Sequence, residues 1–475
     1  MCIVSLNFIN IKPHVMPFYT ELKSRPNEPE AVKIRKQRVI ANLELLRHAL
    51  SEHIESSRDH PGIGRTVKIA TWNIREFGGT SYGGRTFEEL YYMAEIISHF
   101  DLVALQEVRG NLQEFMRLKK YLGPDWDYIA TDVTDGDAGN GERMVFLYNT
   151  QFVHFRNIAG ELTLREGGKI RASFGERVRL ENGLVAKIPP GTDISGTYNA
   201  YTTSRNGKNY LEEDLEIPLP PGSKLQIPEG SGLVLKKGAE IVKPSKGKAT
   251  VQVPQAQIQG KEYALRFPEN SFDDGLRQFA RTPFLISFQA GWLKLNLCTV
   301  HIYYGSESNV NKLKQRESEI RQLTEALAAK AGNEYKYDTE AFMGVLGDFN
   351  ILGQGHPTME ALESNGFEIP DRLKSIPGSN VERDKAYDQI AFWKPRRNTG
   401  YTRLDIVGAN VFDFYQHIFR HEDEPVYRTE AAFNGLKPST KYSTWRTYKM
   451  SDHLPMWIEL RTDFGDEYLR SISTD

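Results

Sequence analysis

The sequence predicts an α/β protein in which two sheets pack together between flanking helices, with an inserted all-β module and an N-terminal helix. Three observations carry this reading. Short apolar strands alternate with helical periods through 66–159 and 276–465. The stretch 160–275 is rich in Gly and Pro, with short alternating runs and no helical period. Residues 29–56 repeat apolar side chains at steps of three and four.

Taken in order, residues 1–28 carry no period and are expected to be poorly structured; Met16, opening MPFYTELK, is a second candidate start. Residues 29–65 form a helical extension whose apolar stripe is Ile40, Leu43, Leu46, Leu50 and Ile54. The α/β sandwich, 66–159 and 276–465, begins with VKIATW, a strand. TFEELYYMAEIISHF is a helix, with Thr86 and Glu89 at capping-box spacing. DLVALQEV is a nearly continuous apolar run that fits a buried strand, and ERMVFLYN is another. Beyond the insertion, TPFLISF and WLKLNLCTVHI form a strand hairpin, and NKLKQRESEIRQLTEALAAK is a helix. FMGVLGDFN, AYDQIAFW and PMWIEL are further strands, and 466–475 is a tail. Within the insertion, KLQIP, GLVLKKG, AEIVKP, ATVQVP and QAQIQG are short strands. They bring Lys236, Lys237, Lys243, Lys246 and Lys248 close in sequence, either as a solvated face or as a surface for a phosphate backbone.

Composition narrows the class. The chain has 475 residues and a formal net charge of −2, so its overall field does not mark it as a general polyanion binder. Only Cys2 and Cys298 are present, which argues against a disulfide scaffold and for a reducing compartment. No secretory signal pattern opens the chain and no run of about 18 apolar residues occurs, so a cytoplasmic location is expected.

Function is written at the strand ends. A strand that only needed burial would not finish on Asn73 and Arg75, as VKIATWNIREFGG does. DLVALQEV ends in Gln106 and Glu107, LNLCTVHI carries His301, GVLGDFN ends in Asp348 and Asn350, AYDQI carries Asp388, and Ser451, Asp452 and His453 precede the last strand. Ionisable groups gather in one domain's interior at a cost unless paired or metal-bound. Oxygen donors without a Cys or His cluster suit Mg²⁺, Mn²⁺ or Ca²⁺. Two histidines with spare carboxylates suit general acid–base work, and nearby arginines suit phosphate. The combination describes metal-assisted phosphoester hydrolysis.

The series WN, QE, TVH, GDFN, YDQI and SDH resembles the endonuclease/exonuclease/phosphatase superfamily. KIATWNIREFG, LQEVR, GERMVFLYN, FARTPFLISF, TVH, GDFN, AYDQI and SDHLP, in that order, are most similar to the deoxyribonuclease I-like nucleases, over about 66–150 and 276–462. The resemblance implies a two-sheet α/β sandwich with the site at one rim. It implies that Asn73, Glu107 and Asp452 bind metal and phosphate, and that Asp348 and Asn350 orient phosphate, water or a second cation. His453 with Asp388 and His301 with Glu142 would be two His–carboxylate pairs, one activating water and the other assisting the leaving oxygen. Arg75, Arg109 and Arg281 match positions that contact the nucleic-acid backbone or minor groove. His301 sets the chain apart from the abasic-site endonuclease branch, and Glu142 with Arg281 favours the nuclease I-like branch. Asn140–Gly141 stands where those nucleases carry a minor-groove tyrosine, and Tyr303 and Tyr304 follow His301. The expectation is a Mg²⁺-dependent enzyme (Mn²⁺ or Ca²⁺ as alternatives) acting on nucleic acid, with DNA preferred and with control by the insertion, the N-terminal helix or a regulatory protein partner. The alternatives are a phosphatase or a phospholipid/sphingomyelin-type phosphodiesterase of the same superfamily, or an inactive binding protein on this fold.

Overall fold

The computed structural model describes residues 17–59, 64–80, 83–133, 141–162, 279–305, 309–336, 341–394 and 403–473, and between 163 and 278 the strands alone. The chain divides into two compact units. The first takes 1–162, 280–305 and 320–475; the second takes 163–279 and 306–319.

The first unit is built on two six-stranded sheets. In chain order its strands are β1 (Thr66–Phe77), β2 (Leu102–Arg109), β3 (Trp126–Ala130), β4 (Glu142–Asn149), β5 (His154–Glu161), β6 (Phe284–Ala290), β7 (Leu293–His301), β8 (Ala341–Asp348), β9 (Phe367–Glu368), β10 (Asp388–Trp393), β11 (Ile406–Val411) and β12 (Met456–Arg461). One sheet runs β11-β12-β1-β2-β4-β3 and the other β9-β10-β8-β7-β6-β5. Each contains one parallel pair, β1 with β2 and β7 with β8, among antiparallel neighbours. The central strands are buried on both faces, as their continuous apolar runs require. The sheets meet through β1 and β2 against β7, β8 and β10. At the β4–β6 end, Phe146 packs against Phe284 and Phe288. A polar bridge crosses this core: buried Gln106 donates to Thr299 Oγ1 at 2.8 Å.

Among the described residues of the chain there are six helices of eight residues or more: α1 (Glu30–Ser56), α2 (Phe87–Ser98), α3 (Gln113–Leu122), α4 (Val310–Glu334), α5 (Tyr442–Lys449) and α6 (Gly465–Ser473). The expected capping box opens α2, with Thr86 and Glu89 serving each other's backbone. The hairpin of β6 and β7 also forms. The buried stripe of α1 is Val39, Leu43, Leu46, Leu50 and Ile54, whereas Ile40 is 40% exposed. The stripe therefore starts one residue earlier than the sequence reading placed it, because Val39 lies four residues before Leu43 and Ile40 sits about 100° around the helix. Residues 17–28, expected to be poorly structured, are also held. Phe18 N–H donates to Tyr121 O at 2.7 Å, Glu21 accepts from the Tyr121 hydroxyl at 2.8 Å, and Leu22 is buried. Most of the tail 466–475 is helix α6. The sequence reading did not anticipate α3, β3, β5, β9, β11 or α5.

The second unit holds two four-stranded sheets. One orders Glu240–Ile241, Lys208–Leu211, Gly196–Arg205 and Gly247–Val253; the other orders Leu215–Pro218, Gly232–Leu235, Glu262–Arg266 and Ile170–Arg171. Arg177–Arg179 pairs with Val185–Lys187. The side chains of Lys236, Lys237, Lys243, Lys246 and Lys248 lie outside the described residues.

Candidate active site

The site is assembled where strands stop behaving as strands. β1 and β2 stay in register up to Asn73 opposite Gln106 and resume at Phe77 opposite Val108, so Ile74, Arg75 and Glu76 bulge against the single residue Glu107. Three of these residues hold left-handed backbone, with φ of 40° at Arg75, 45° at Glu76 and 62° at Glu107. Such conformations are strained for side-chain-bearing residues and persist where neighbours over-determine them. Here Glu76 N–H donates to Glu107 Oε2 at 2.9 Å, and Arg75 N–H to Asn73 Oδ1 at 3.0 Å. Asn73 Nδ2 donates to Glu107 Oε1 at 2.9 Å and to Asp348 Oδ2 at 3.0 Å, which ties the two sheets at the site.

Across the second sheet, His301, Asp348 and Asp388 stand side by side on β7, β8 and β10. Gly347, with φ of 144°, makes this approach feasible: a Cβ there would lie 2.1 Å from Val300 O. Asn350 donates its side-chain N–H to Ile302 O and its backbone N–H to Asp348 Oδ1, both at 2.8 Å.

Two histidines flank Asp348. His301 Nδ1 bonds Glu142 Oε2 at 2.9 Å, and His453 Nδ1 bonds Asp388 Oδ2 at 2.8 Å. Each imidazole is thereby locked by a carboxylate, leaving Nε2 directed at one point: Asp348 Oδ2 lies 3.6 Å from His301 Nε2 and 3.7 Å from His453 Nε2. All five of these side chains are buried. Burial disfavours a charged His453, but the carboxylates of Asp388 and Asp348 outweigh it and hold the imidazole pKa well above its ordinary value. Burial also opposes ionisation of Glu142, yet His301, Arg281 and Arg109 together pull its pKa down to about 2. Burial raises the Asp388 carboxyl pKa, against the pull of His453.

The three arginines differ. The Arg75 guanidinium pairs with the partly exposed Asp452 carboxylate at 3.1 Å, donates to Thr447 Oγ1 at 2.6 Å and stacks over Tyr448 at 3.8 Å. Arg109 lies 3.5 Å from Glu76 Oε1 and 3.9 Å from Glu142 Oε1. Arg281 is buried, and its Nε–H donates to Glu142 Oε2 at 2.9 Å, so it holds the carboxylate that orients His301. All twelve residues singled out in the sequence thus fall around one locus of the first unit. Sequence reasoning missed Ser379, whose hydroxyl donates to Asp388 Oδ2 at 2.6 Å, and the Thr447–Tyr448 seat of Arg75. A lone serine in a loop and the exposed side of a short helix carry no pattern that would have found them.

The donor chemistry fits a hard divalent cation. The carboxylates of Glu107 and Asp348, both accepting from the Asn73 side-chain N–H, and that of Asp452 beside Arg75 are oxygen groups of the kind such an ion takes. A second group, Asp348, Asp388 and His453, brings ligand-type atoms within 4.8 Å of one another. The buried Asp388 Oδ1 has no hydrogen-bond partner among the described residues. In that group Asp388 Oδ2 and His453 Nδ1 already bond each other, which suits an acid–base pair better than a complete cage.

The sequence profile of the Endonuclease/Exonuclease/phosphatase family matches residues 70–453, which takes in strands of both sheets and every residue of this site. The chain belongs to this family. A curated relative is Deoxyribonuclease-1 of Bos taurus, 33% identical over 91 residues, a stretch that covers 18% of this chain and 31% of the relative. The match thus spans about a third of that relative's length. Among solved structures, the mannosyl-6-phosphatase Bt3783 of Bacteroides thetaiotaomicron is 13% identical with a TM-score of 0.38, covering 83% of this chain and 99% of its own. D. rerio TDP2, solved with a single-strand DNA product, is 10% identical with a TM-score of 0.37, covering 84% and 99%. For this family member, the fold is the deoxyribonuclease I-like α/β sandwich, and among the described residues no helix is long and apolar enough to cross a membrane.

Proposed function

We propose that the protein is a divalent-metal-dependent phosphodiesterase that hydrolyses nucleic acid, with DNA cut internally as the preferred substrate. The observation that carries this is the pair of carboxylate-locked histidines whose Nε2 atoms converge on Asp348 Oδ2 at 3.6 and 3.7 Å. Hydrolysis of a phosphodiester needs a base for the attacking water and an acid for the leaving oxygen. One Nε2 takes the proton of the water as its oxygen bonds phosphorus. The other gives a proton to the ester oxygen as the P–O bond breaks. Glu142 and Asp388 fix the tautomers, leaving both Nε2 positions for proton transfer. Asn73, Glu107 and Asp452, with Asp348, would hold a Mg²⁺, Mn²⁺ or Ca²⁺ ion. Such an ion supplies charge stabilisation on the phosphorus oxygens. Arg75 and Arg109 add positive charge beside these groups, suited to the flanking backbone phosphates. The preference for DNA draws on the identity shared with Deoxyribonuclease-1.

The test is incubation of the purified protein with supercoiled plasmid, RNA and phosphoinositides, with Mg²⁺ or Mn²⁺ and with chelator. Metal-dependent nicking of plasmid that chelator abolishes is expected. Turnover of phosphoinositides without cleavage of any nucleic acid would overturn the reading.

A further inference from the structure

Arg85 is buried, lies outside every strand and helix, and has no part in the chemistry proposed above. A buried guanidinium is costly unless its donors are met. Those of Arg85 are met mostly by main-chain carbonyls from two segments some 370 residues apart. On one side it donates to the β1 bulge: to Arg75 O at 2.7 Å, Ile74 O at 2.9 Å and Glu76 O at 3.4 Å. On the other it donates to the end of α5, to Lys449 O at 3.0 Å and Met450 O at 3.3 Å. Among the described residues its carboxylate partner is Glu114, at 3.4 Å; the same carboxylate accepts the Arg85 backbone N–H at 2.6 Å and the Gly78 N–H at 3.2 Å. The bulge carries Arg75 and the Glu76 N–H that holds Glu107. The α5 terminus leads directly into Ser451, Asp452 and His453, and Ser451 Oγ donates to Asn73 O at 2.6 Å.

We infer that Arg85 is a positioning residue for the active site, a clamp that holds the left-handed bulge of β1 against the segment bearing Asp452 and His453. The inference rests on the phosphodiesterase reading for its kinetic part and on geometry alone for its structural part. Five donors spread over a planar fork reach both segments at once; a lysine places three donors on a single nitrogen and cannot.

The experiment compares Arg85→Lys and Arg85→Ala with wild type. In metal-free protein, amide hydrogen exchange at Glu76 and His453 should rise on the order of tenfold in R85K, while amides of β7 stay protected. In plasmid cleavage, kcat should fall by roughly tenfold or more in both variants with KM within about threefold, the signature of misplaced reacting groups. Guanidinium added at millimolar concentration should restore part of the R85A rate and leave wild type unaffected. R85K with wild-type kcat, or exchange that is unchanged or rises uniformly across the core, would overturn the inference. If R85A does not fold, R85K carries the test. If wild type cleaves no nucleic acid, the functional reading falls, and the exchange comparison still decides the clamp.

Discussion

At the scale of single residues, the site is a set of groups whose burial makes sense only through their partners. His453 is buried against two carboxylates and bonded to one of them. Replacing it with alanine should lower kcat on the order of 10² or more, as loss of a general acid or base does, with near-normal substrate affinity. Steady-state kinetics on plasmid DNA checks this, and turnover close to wild type would remove His453 from the mechanism. Glu142 offers a stability test. Its folded pKa lies at about 2, below the ordinary 4.5. A depressed carboxylate stabilises the fold fully above the unfolded value, and that contribution is lost as pH falls through the folded one. Glu142→Gln should therefore cost roughly 3 kcal/mol at neutral pH, since it leaves buried Arg281 without its carboxylate partner. The gap to wild type should close as the pH drops from about 4.5 toward 2. Urea unfolding across that range reads it, and a pH-independent gap would contradict the assignment. Asn73, Glu107, His301, Asp348, Asp388 and His453 were legible in the sequence because polar groups at the ends of apolar strands break the burial rule. Arg85 and Ser379 were not. The acceptors that Arg85 satisfies are mostly main-chain carbonyls, which every residue has, and Ser379 is a small hydroxyl in a loop.

At the scale of elements, patterning worked where one period ran uninterrupted and failed where it broke. Helix α2 and the β6–β7 hairpin appear as their sequences predict. The bulge at Ile74–Glu76 does not, because alternation assumes one residue opposite one, and three stand opposite Glu107 here. Arg75 reaches Asp452 from within that bulge rather than by simple alternation with Asn73. Helix α1 shows how narrow the margin is. Leu46 is fully buried, so Leu46→Ala should destabilise by roughly 2–4 kcal/mol. Ile40 is exposed, and Ile40→Ala should fall within about 0.5 kcal/mol of wild type. Denaturant unfolding of the two variants distinguishes this stripe from one centred on Ile40, which would reverse the order.

At the scale of the whole molecule, every site residue belongs to the first unit, and the larger segment of the second, 163–279, enters the chain between β5 and β6. Deleting 165–270 should accordingly leave kcat within about an order of magnitude while raising KM for plasmid. A collapse of kcat at constant KM would instead make the insertion part of the catalytic scaffold. The order of strands within each sheet was beyond the reach of the sequence, because register follows from pairing between segments hundreds of residues apart. β1 lies between β2 and β12, the first strand of the unit beside its last.

That neighbourhood has a consequence in time. A chain emerging from the ribosome can form α1, β1, α2 and β2 early, yet β12 and the Asp452–His453 pair that precedes it arrive some 380 residues after Asn73. Until β12 slides in beside β1, neither the second histidine nor the last carboxylate exists in place. For the proposed phosphodiesterase, unfinished or truncated copies would therefore be silent, with the ability to cut switched on by completion of the fold itself.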